Sequence, residues 1–496
     1  MPIRRSLAPL LLALAAACTP AARPAAVPAP APAPDERSTV AAALDSIFDD
    51  PALAHAHWGV LVRSLDRGET LYARNAGRMF VPASNMKIVT AVAALEALGY
   101  DYRYATRVAA SGEVRDGVLH GDLIVIGGGD PTISERFHGD VRTVFRAWAD
   151  SLRAHGVRRI TGAVIGNDDV FDDQALGRGW AWDDVESSYS AEVSGLQLNE
   201  GFVTVRVAPA PGQRAAAVTT RPVSDEWVPV AGNVWTTAAD SAAAVSVSRA
   251  DSLSAVVVSG TLPADTAVER EVSVRNNTRF FAAVLRQALL EAGIGVGGRS
   301  LDADDDPARG KPARHTVLFT HTSPPMRDIL PAFLKPSQNQ IGEILLKTLG
   351  AELRGMGTAG AGVAAIDSMV AAWGLPRRLL SQADGSGLSR YNLVAPAFLV
   401  ALLEHESRSP LFMVFDGALP LAGREGTLAS RMRGTPLESH VRAKTGTLSG
   451  VRSLSGYLTT AAGERLVFSM IVNHHTLSAR DADRVAEAAL ARLHRM

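Results

Sequence analysis

The order of apolar and polar positions divides the chain into distinct textures. An apolar run of 11 residues, Leu7 to Ala17, follows Arg4 and Arg5. It is too short to span a bilayer, which takes about 20 residues. Ser38 to Phe48 reads as a first helix. His57 to Val62 and Glu69 to Arg74 are β-prone runs around Leu65-Asp66-Arg67-Gly68, which predicts a hairpin. Met86 to Leu98 is strongly apolar and stops at Gly99, which predicts a buried helix. From Arg103 to Val272 the texture changes to short β-prone runs separated by Gly, Pro and Asp. Examples are Leu119, Leu123 and Val125 at even spacing, Phe202 to Val207, and Ala255 to Val258. Helical texture returns in Arg279 to Ala292, Pro325 to Leu334, Ile341 to Leu349 and Ala361 to Trp373. The end predicts strand, strand, helix over Ser453–Leu458, Leu466–Val472 and Asp481–Leu493. No repeat is visible. The pattern predicts an α/β (α+β) body in two pieces, residues 38–103 and 273–496, interrupted by a β-rich insert at 104–272.

Residues 1–18 read as a signal peptide: a positive start, a short apolar core, then Leu14-Ala15-Ala16-Ala17-Cys18. Small residues before a Cys resemble a bacterial lipobox, whose Cys is cut free and lipidated. The alternative is plain cleavage after Ala-x-Ala. Cys18 is the one Cys of the chain, so no internal disulfide can form. Residues 19–37 are an Ala/Pro-rich linker, with six prolines between Pro20 and Pro34. Such a segment is extended and semi-rigid, suited to holding a folded body off a membrane. These features predict an exported, periplasmic protein that meets a membrane through a lipid anchor on Cys18.

Composition narrows the chemistry. The 496 residues carry 50 Lys+Arg against 51 Asp+Glu, without the basic excess of a nucleic-acid binder. Five of the basic residues are lysines: Lys87, Lys311, Lys335, Lys347 and Lys444. Where Arg serves most cationic roles, a Lys marks a place that needs an ammonium able to lose its proton. Lys311 and Lys347 are read as incidental. The other three lie in or beside short motifs. Ser84-Asn85-Met86-Lys87 opens the apolar helix and sets a hydroxyl and an amine on one face. A Lys deprotonated by burial can take the proton of a Ser nucleophile. Ser337-Gln338-Asn339, after Lys335, reads as a loop presenting a hydroxyl and an amide. Lys444-Thr445-Gly446-Thr447 reads as a strand end offering an ammonium, two hydroxyls and a backbone N–H, with Gly446 allowing close approach.

Ser-x-x-Lys, Ser-x-Asn and Lys-Thr-Gly in that order resemble the motif set of penicillin-binding proteins and serine β-lactamases. The long gap between Ser84 and Ser337 resembles the class C low-molecular-mass penicillin-binding proteins, the D-alanyl-D-alanine carboxypeptidase/endopeptidase family. Further similar segments are Gly121-Asp122-Leu123 to Thr132, Asp384 to Ser389, Leu419-Pro420 to Gly426-Thr427-Leu428, and Leu454-Ser455-Gly456-Tyr457. The similarity covers nearly all of residues 38–496. Gln338 departs from the commoner Asp, at a position expected to face away from substrate.

The resemblance implies a serine β-lactamase/transpeptidase-like domain, an antiparallel sheet with helices on both faces. It implies Ser84 as the acylated nucleophile and Lys87 as its base. Ser337 and Asn339 would relay a proton and hold the substrate amide. Lys444 would supply positive potential, and Thr445 and Thr447 would bind the terminal carboxylate. The backbone N–H groups of Ser84 and Thr447 would form the oxyanion hole. Substrates would be peptidoglycan stem peptides ending in D-Ala-D-Ala, with cross-bridges as a second class and β-lactam antibiotics as inhibitors. No cofactor or metal is implied. The rival readings are a serine β-lactamase and a catalytically silent penicillin-binding or sensor protein. No Glu-x-x-Leu-Asn string follows the second motif to hydrolyse a penicilloyl ester; Glu343 and Glu352 fall in a predicted helix.

Other features take plainer readings. Gly127-Gly128-Gly129-Asp130 lacks the Gly-Lys-Ser/Thr of a phosphate loop and reads as a turn. The pairs His55/His57 and His474/His475 lack the partners of a metal site. Asp302 to Asp306 reads as a solvated loop. Trp180, Trp182 and Tyr189 read as core packing, with a glycan groove as the alternative.

Overall fold

The computed structural model describes residues 36–496 apart from 212–213, 251–253, 307 and 309–314. Cys18, nearly all of the linker and Lys311 lie outside the described residues. Among the described residues no helix is long and apolar enough to cross a membrane.

The body is built on a five-stranded sheet in the order Thr70–Arg74, His57–Ser64, Arg465–Asn473, Val451–Thr459, Val441–Leu448. Every pairing is antiparallel, and His57 lies opposite Asn473. Apolar residues alternate between two covers, as a pleated strand requires. Val60, Val62, Phe468 and Met470 meet the helices Glu36–Phe48 and Ala479–His494 through Leu44, Phe48 and Leu490. Leu61, Val467 and Ile471 meet the opposite core, which holds Met86–Leu98, Asn339–Arg354 and Pro396–Glu406. The expected transpeptidase-like α/β architecture is present. The first helix starts at Glu36, two residues inside the predicted linker.

The insert has its own core, around Phe145, Trp148, Phe280, Phe281 and Leu285. It contains a mixed five-stranded sheet in the order Ser300–Asp302, Val164–Asn167, Leu123–Ile126, Ala105–Ala110, Thr316–Thr322. Two three-stranded sheets lie within it, one centred on Phe202–Ala208 and one on Val256–Pro263. The insert therefore extends past the boundary expected at 272. The helix Asn277–Glu291 buries Phe280 and Phe281 against Phe145 and Trp148, and Thr316–Thr322 pairs antiparallel with Ala105–Ala110. A helical texture after a β-rich stretch does not tell which core it covers. The helix Arg142–Ala154 likewise makes the insert mixed rather than purely β-rich.

The loop expected at Asp302–Asp306 is partly buried instead. Asp302 accepts from Asp304 N (3.1 Å) and Asn276 Nδ2 (2.8 Å), capping the turn Ala303–Asp305. Lys347, read as incidental, is buried. Its Nζ donates to Asp172 Oδ1 (2.7 Å) and the Gln174 carbonyl (2.9 Å), tying the helix Asn339–Arg354 to an insert loop.

Candidate active site

Met86–Leu98 is buried from Met86 to Leu95, so its position is fixed on all sides. Ser84 sits in the single 3₁₀ turn Ala83–Asn85 that leads into it, one step outside the α-helix. Ala83 has φ +48°, a left-handed conformation that costs a non-glycine residue energy and is held by its surroundings. Two bonds pin this turn to the neighbouring strands: Asn85 Nδ2 donates to the Lys444 carbonyl (2.8 Å), and Ser453 Oγ to the Pro82 carbonyl (2.6 Å). Gly446 stands where a Cβ would lie 2.1 Å from Ser453 Oγ and 3.0 Å from Ser84 N. A side chain there would push the strand Val441–Leu448 off the nucleophile.

Lys87 is fully buried one helical turn on. Its Nζ lies 3.0 Å from Ser84 Oγ, 2.6 Å from Asn339 Oδ1 and 2.7 Å from the Ser386 carbonyl. Burial pushes the ammonium down to about 7, against the opposing pull of Asp384 and Glu343. In the neutral amine, the two N–H bonds satisfy Asn339 and Ser386. The lone pair is left facing the Ser84 hydroxyl.

The Ser386 carbonyl is held in turn. Glu343 is buried and accepts from Gly385 N (3.0 Å) and Ser386 N (2.8 Å). Burial, and then the Asp384 charge, push its carboxyl up. Asp384 accepts from Gly387 N (2.7 Å), Ser389 N (2.6 Å), Asn392 Nδ2 (2.6 Å) and Trp180 Nε1 (3.0 Å). The segment Asp384–Ser389 is thus held by many bonds, and its Ser386 carbonyl meets Lys87.

Lys444 is the second buried ammonium. It donates to Ser337 Oγ (2.8 Å) and the Thr445 carbonyl (2.9 Å). Burial and then the Lys87 charge hold it well below its ordinary value. Thr445 Oγ1 bonds Thr427 Oγ1 (2.7 Å), and the exposed Thr447 hydroxyl accepts from Arg452. Ser337 lies in a turn at φ +66°, whereas Asn339 already opens the helix Asn339–Arg354. The structure therefore brings Ser84, Lys87, Ser337, Asn339, Lys444, Thr445, Gly446 and Thr447 together.

Ser84, Ser337, Asn339, Thr445, Gly446 and Thr447 line a cleft of about 550 Å³, together with Asp183, Asp184 and Tyr189 of the insert, while Lys87 and Lys444 are buried behind these side chains. The core-packing reading of the aromatics does not hold: Trp182 is 86% exposed, Trp180 bonds Asp384, and Tyr189 faces the cleft. Contributors without a role in the sequence reading include Glu343, Asp384, Thr427, the Ser386 carbonyl and the Tyr189 carbonyl, which accepts from Asn339 Nδ2 (2.7 Å). Asp384 and Thr427 lie within segments that carry the resemblance, so a signal existed there. A backbone carbonyl leaves none.

The sequence matches the profile of the D-Ala-D-Ala carboxypeptidase 3 (S13) family over residues 40–495. The chain belongs to that family. It is a serine carboxypeptidase of the penicillin-binding kind, as the motif set implied. It is 36% identical over 471 residues to a D-alanyl-D-alanine carboxypeptidase of Actinomadura sp. strain R39, covering 90% of this chain and 84% of the relative. It is 26% identical to the D-alanyl-D-alanine carboxypeptidase DacB of Haemophilus influenzae, covering 84% and 85% of the two chains. The crystal structure of penicillin-binding protein 4 from that organism superposes with a TM-score of 0.76 at 25% identity, over 91% of this carboxypeptidase and 98% of the other chain.

Proposed function

We propose that this carboxypeptidase works through an acyl-enzyme on Ser84 and removes the terminal D-alanine of peptidoglycan stem peptides. The observation that carries the reading is the set of bonds at Lys87: two carbonyl acceptors fill its N–H positions and aim its lone pair at Ser84 Oγ. The amine takes the Ser84 proton as Oγ bonds the carbonyl carbon between the two D-alanines. The N–H groups of Ser84 and Thr447 receive the oxyanion. Losing one such donor costs roughly 100- to 1000-fold in rate. The Lys444 ammonium, with the hydroxyls of Thr445 and Thr447, holds the terminal carboxylate. Ser337, bonded to Lys444, passes a proton to the leaving amine as the C–N bond breaks, and Asn339 holds the substrate amide. Water then hydrolyses the ester. Asp183 and Asp184 stand with Arg390 on the same cleft. Charges of both signs suit a stem-peptide side chain bearing an amine and a carboxylate, which also suits cross-bridge cleavage.

A β-lactam acylates the same Ser84, and the adduct persists for many minutes. Its amine stays tethered, and Glu343 is turned onto the Gly385–Ser386 backbone rather than toward the ester. Ser84→Ala should abolish both labelling by fluorescent penicillin and D-alanine release in a folded protein; labelling of the variant would overturn the assignment. Rapid penicillin turnover without peptide hydrolysis would make the protein a β-lactamase. Export and lipidation at Cys18 complete the proposal, supported by the leader and linker. Cys18→Ala should shift the protein from the membrane to the soluble fraction, and an unmodified Cys18 by intact mass would reject the anchor.

A further inference from the structure

The segment Ser337–Gln340 is held by the insert at every side chain after the serine. Gln340 Nε2 donates to the Ser188 carbonyl (3.0 Å) and the Ala191 carbonyl (3.3 Å). Asn339 Nδ2 donates to the Tyr189 carbonyl (2.7 Å). Gln338 Nε2 donates to Glu200 Oε2 (3.0 Å) and to Gln340 Oε1, while its own Oε1 accepts from Ile341 N (2.8 Å) and caps the helix. Glu200 is 5% exposed and bonded by Arg136 through both Nε and Nη2. Three residues along this contact hold left-handed backbone: Asn199 at φ +46°, Glu200 at +57° and Ser337 at +66°. Such conformations persist where the surroundings over-determine them, and cluster where geometry matters to chemistry.

We propose that Glu200 of the insert is a positioning residue for the second motif. Its carboxylate, clamped by Arg136, fixes Gln338, and through it the Ser337 hydroxyl on Lys444 and the Asn339 amide on Lys87. The proposal rests on the reaction roles given to Ser337 and Asn339 above. It also explains the unusual residue at 338. That side chain must donate to Glu200 and accept from Ile341 N, and an amide does both. An Asp or Glu there would set one carboxylate against another. The insert is then a working part of the catalytic centre, and its loss would leave Ser337 unsupported.

The test is a charge exchange across the contact in the whole protein, read as the second-order rate of penicillin acylation and as kcat and KM for D-alanine release. Gln338→Glu should slow acylation by about tenfold or more, with the loss in kcat rather than KM. Adding Glu200→Gln to that variant re-creates the amide–carboxylate pair in the opposite sense and should bring the rate back to within roughly threefold of the original. A double variant no faster than Gln338→Glu alone, or a Gln338→Glu protein of unchanged rate, would overturn the proposal. Should Gln338→Glu not fold, Glu200→Ala is read instead. A folded Glu200→Ala protein acylating at the original rate overturns the proposal, and a tenfold loss in kcat supports it. An unaltered protein that neither binds penicillin nor releases D-alanine would strike at the functional reading instead.

Discussion

Two buried lysines bond the hydroxyls of the site, Lys87 to Ser84 and Lys444 to Ser337, and the charges acting on them differ. Lys87 has two carboxylates of the protein near it, Asp384 and Glu343, and still falls to about 7 because burial outweighs them. Lys444 is lowered by burial and then by the Lys87 charge. The first is kept close to neutral while its geometry is fixed, which suits a group that must accept a proton and return it. In the proposed reaction the second meets the negative charge of the substrate carboxylate. The proposal thus gives one amine a proton to handle and the other a charge, although both are lysines with near-zero exposure.

The largest effect should come from Lys87→Arg. Guanidinium keeps the charge but cannot act as a base, so acylation by penicillin should fall by about 100- to 10,000-fold. A variant within tenfold of the original would mean that Lys87 serves electrostatically, like Lys444. Lys444→Gln should cost roughly 10- to 100-fold on a peptide ending in a free carboxylate, the size of a charge-assisted hydrogen bond. On the same peptide with an amidated end the loss should shrink. Equal losses on both would break the distinction.

A smaller effect sharpens the Lys87 side. The rate of acylation should rise with pH through about 7, as Lys87 loses its proton. The Glu343 carboxylate favours the ammonium. Glu343→Gln should therefore let the proton leave more easily and move that limb to lower pH, by on the order of one unit. A limb that stays in place, or moves upward, would show that Glu343 only supports the Gly385–Ser386 backbone. The smallest kinetic effect belongs to a third buried lysine. Lys347→Met should lower stability by about 1–3 kcal/mol, measured by denaturant unfolding, and leave acylation of the folded protein unchanged. A kinetic defect there would extend the catalytic network to Asp172.

The sequence carried the chemistry of side chains and little of their support. Ser84, Lys87 and Lys444 were legible because ammonium groups are rare in this Arg-rich chain and fall at motif spacings. The sheet was legible because β-prone apolar runs at 57–62, 69–74, 453–458 and 466–472 are what strands buried on both faces require. The hold on Lys87 by the Ser386 carbonyl was not, since a backbone acceptor has no residue type. Trp182 was misread because an aromatic residue is core by default, and in sequence a surface loop at a cleft rim looks like a buried one. The far boundary of the insert failed for a related reason. Phe280 and Phe281 announce a buried face and do not name the surface that covers them.

The two walls of the catalytic centre come from opposite ends of the chain: Asn85 bonds Lys444 across 359 positions, and His57 pairs with Asn473. Contacts so distant in sequence form late and slowly. At a synthesis rate of 5–20 residues per second, Ser84 emerges roughly 20–70 s before the strand that completes its pocket. During that time the serine has its lysine partner nearby but neither Lys444 nor the Thr447 amide. A growing chain should thus lack the oxyanion and carboxylate sites that the proposed acylation needs. On the proposed mechanism covalent penicillin should label finished molecules alone, and so serve as a clock for folding that reports the moment when the last strand closes on the first.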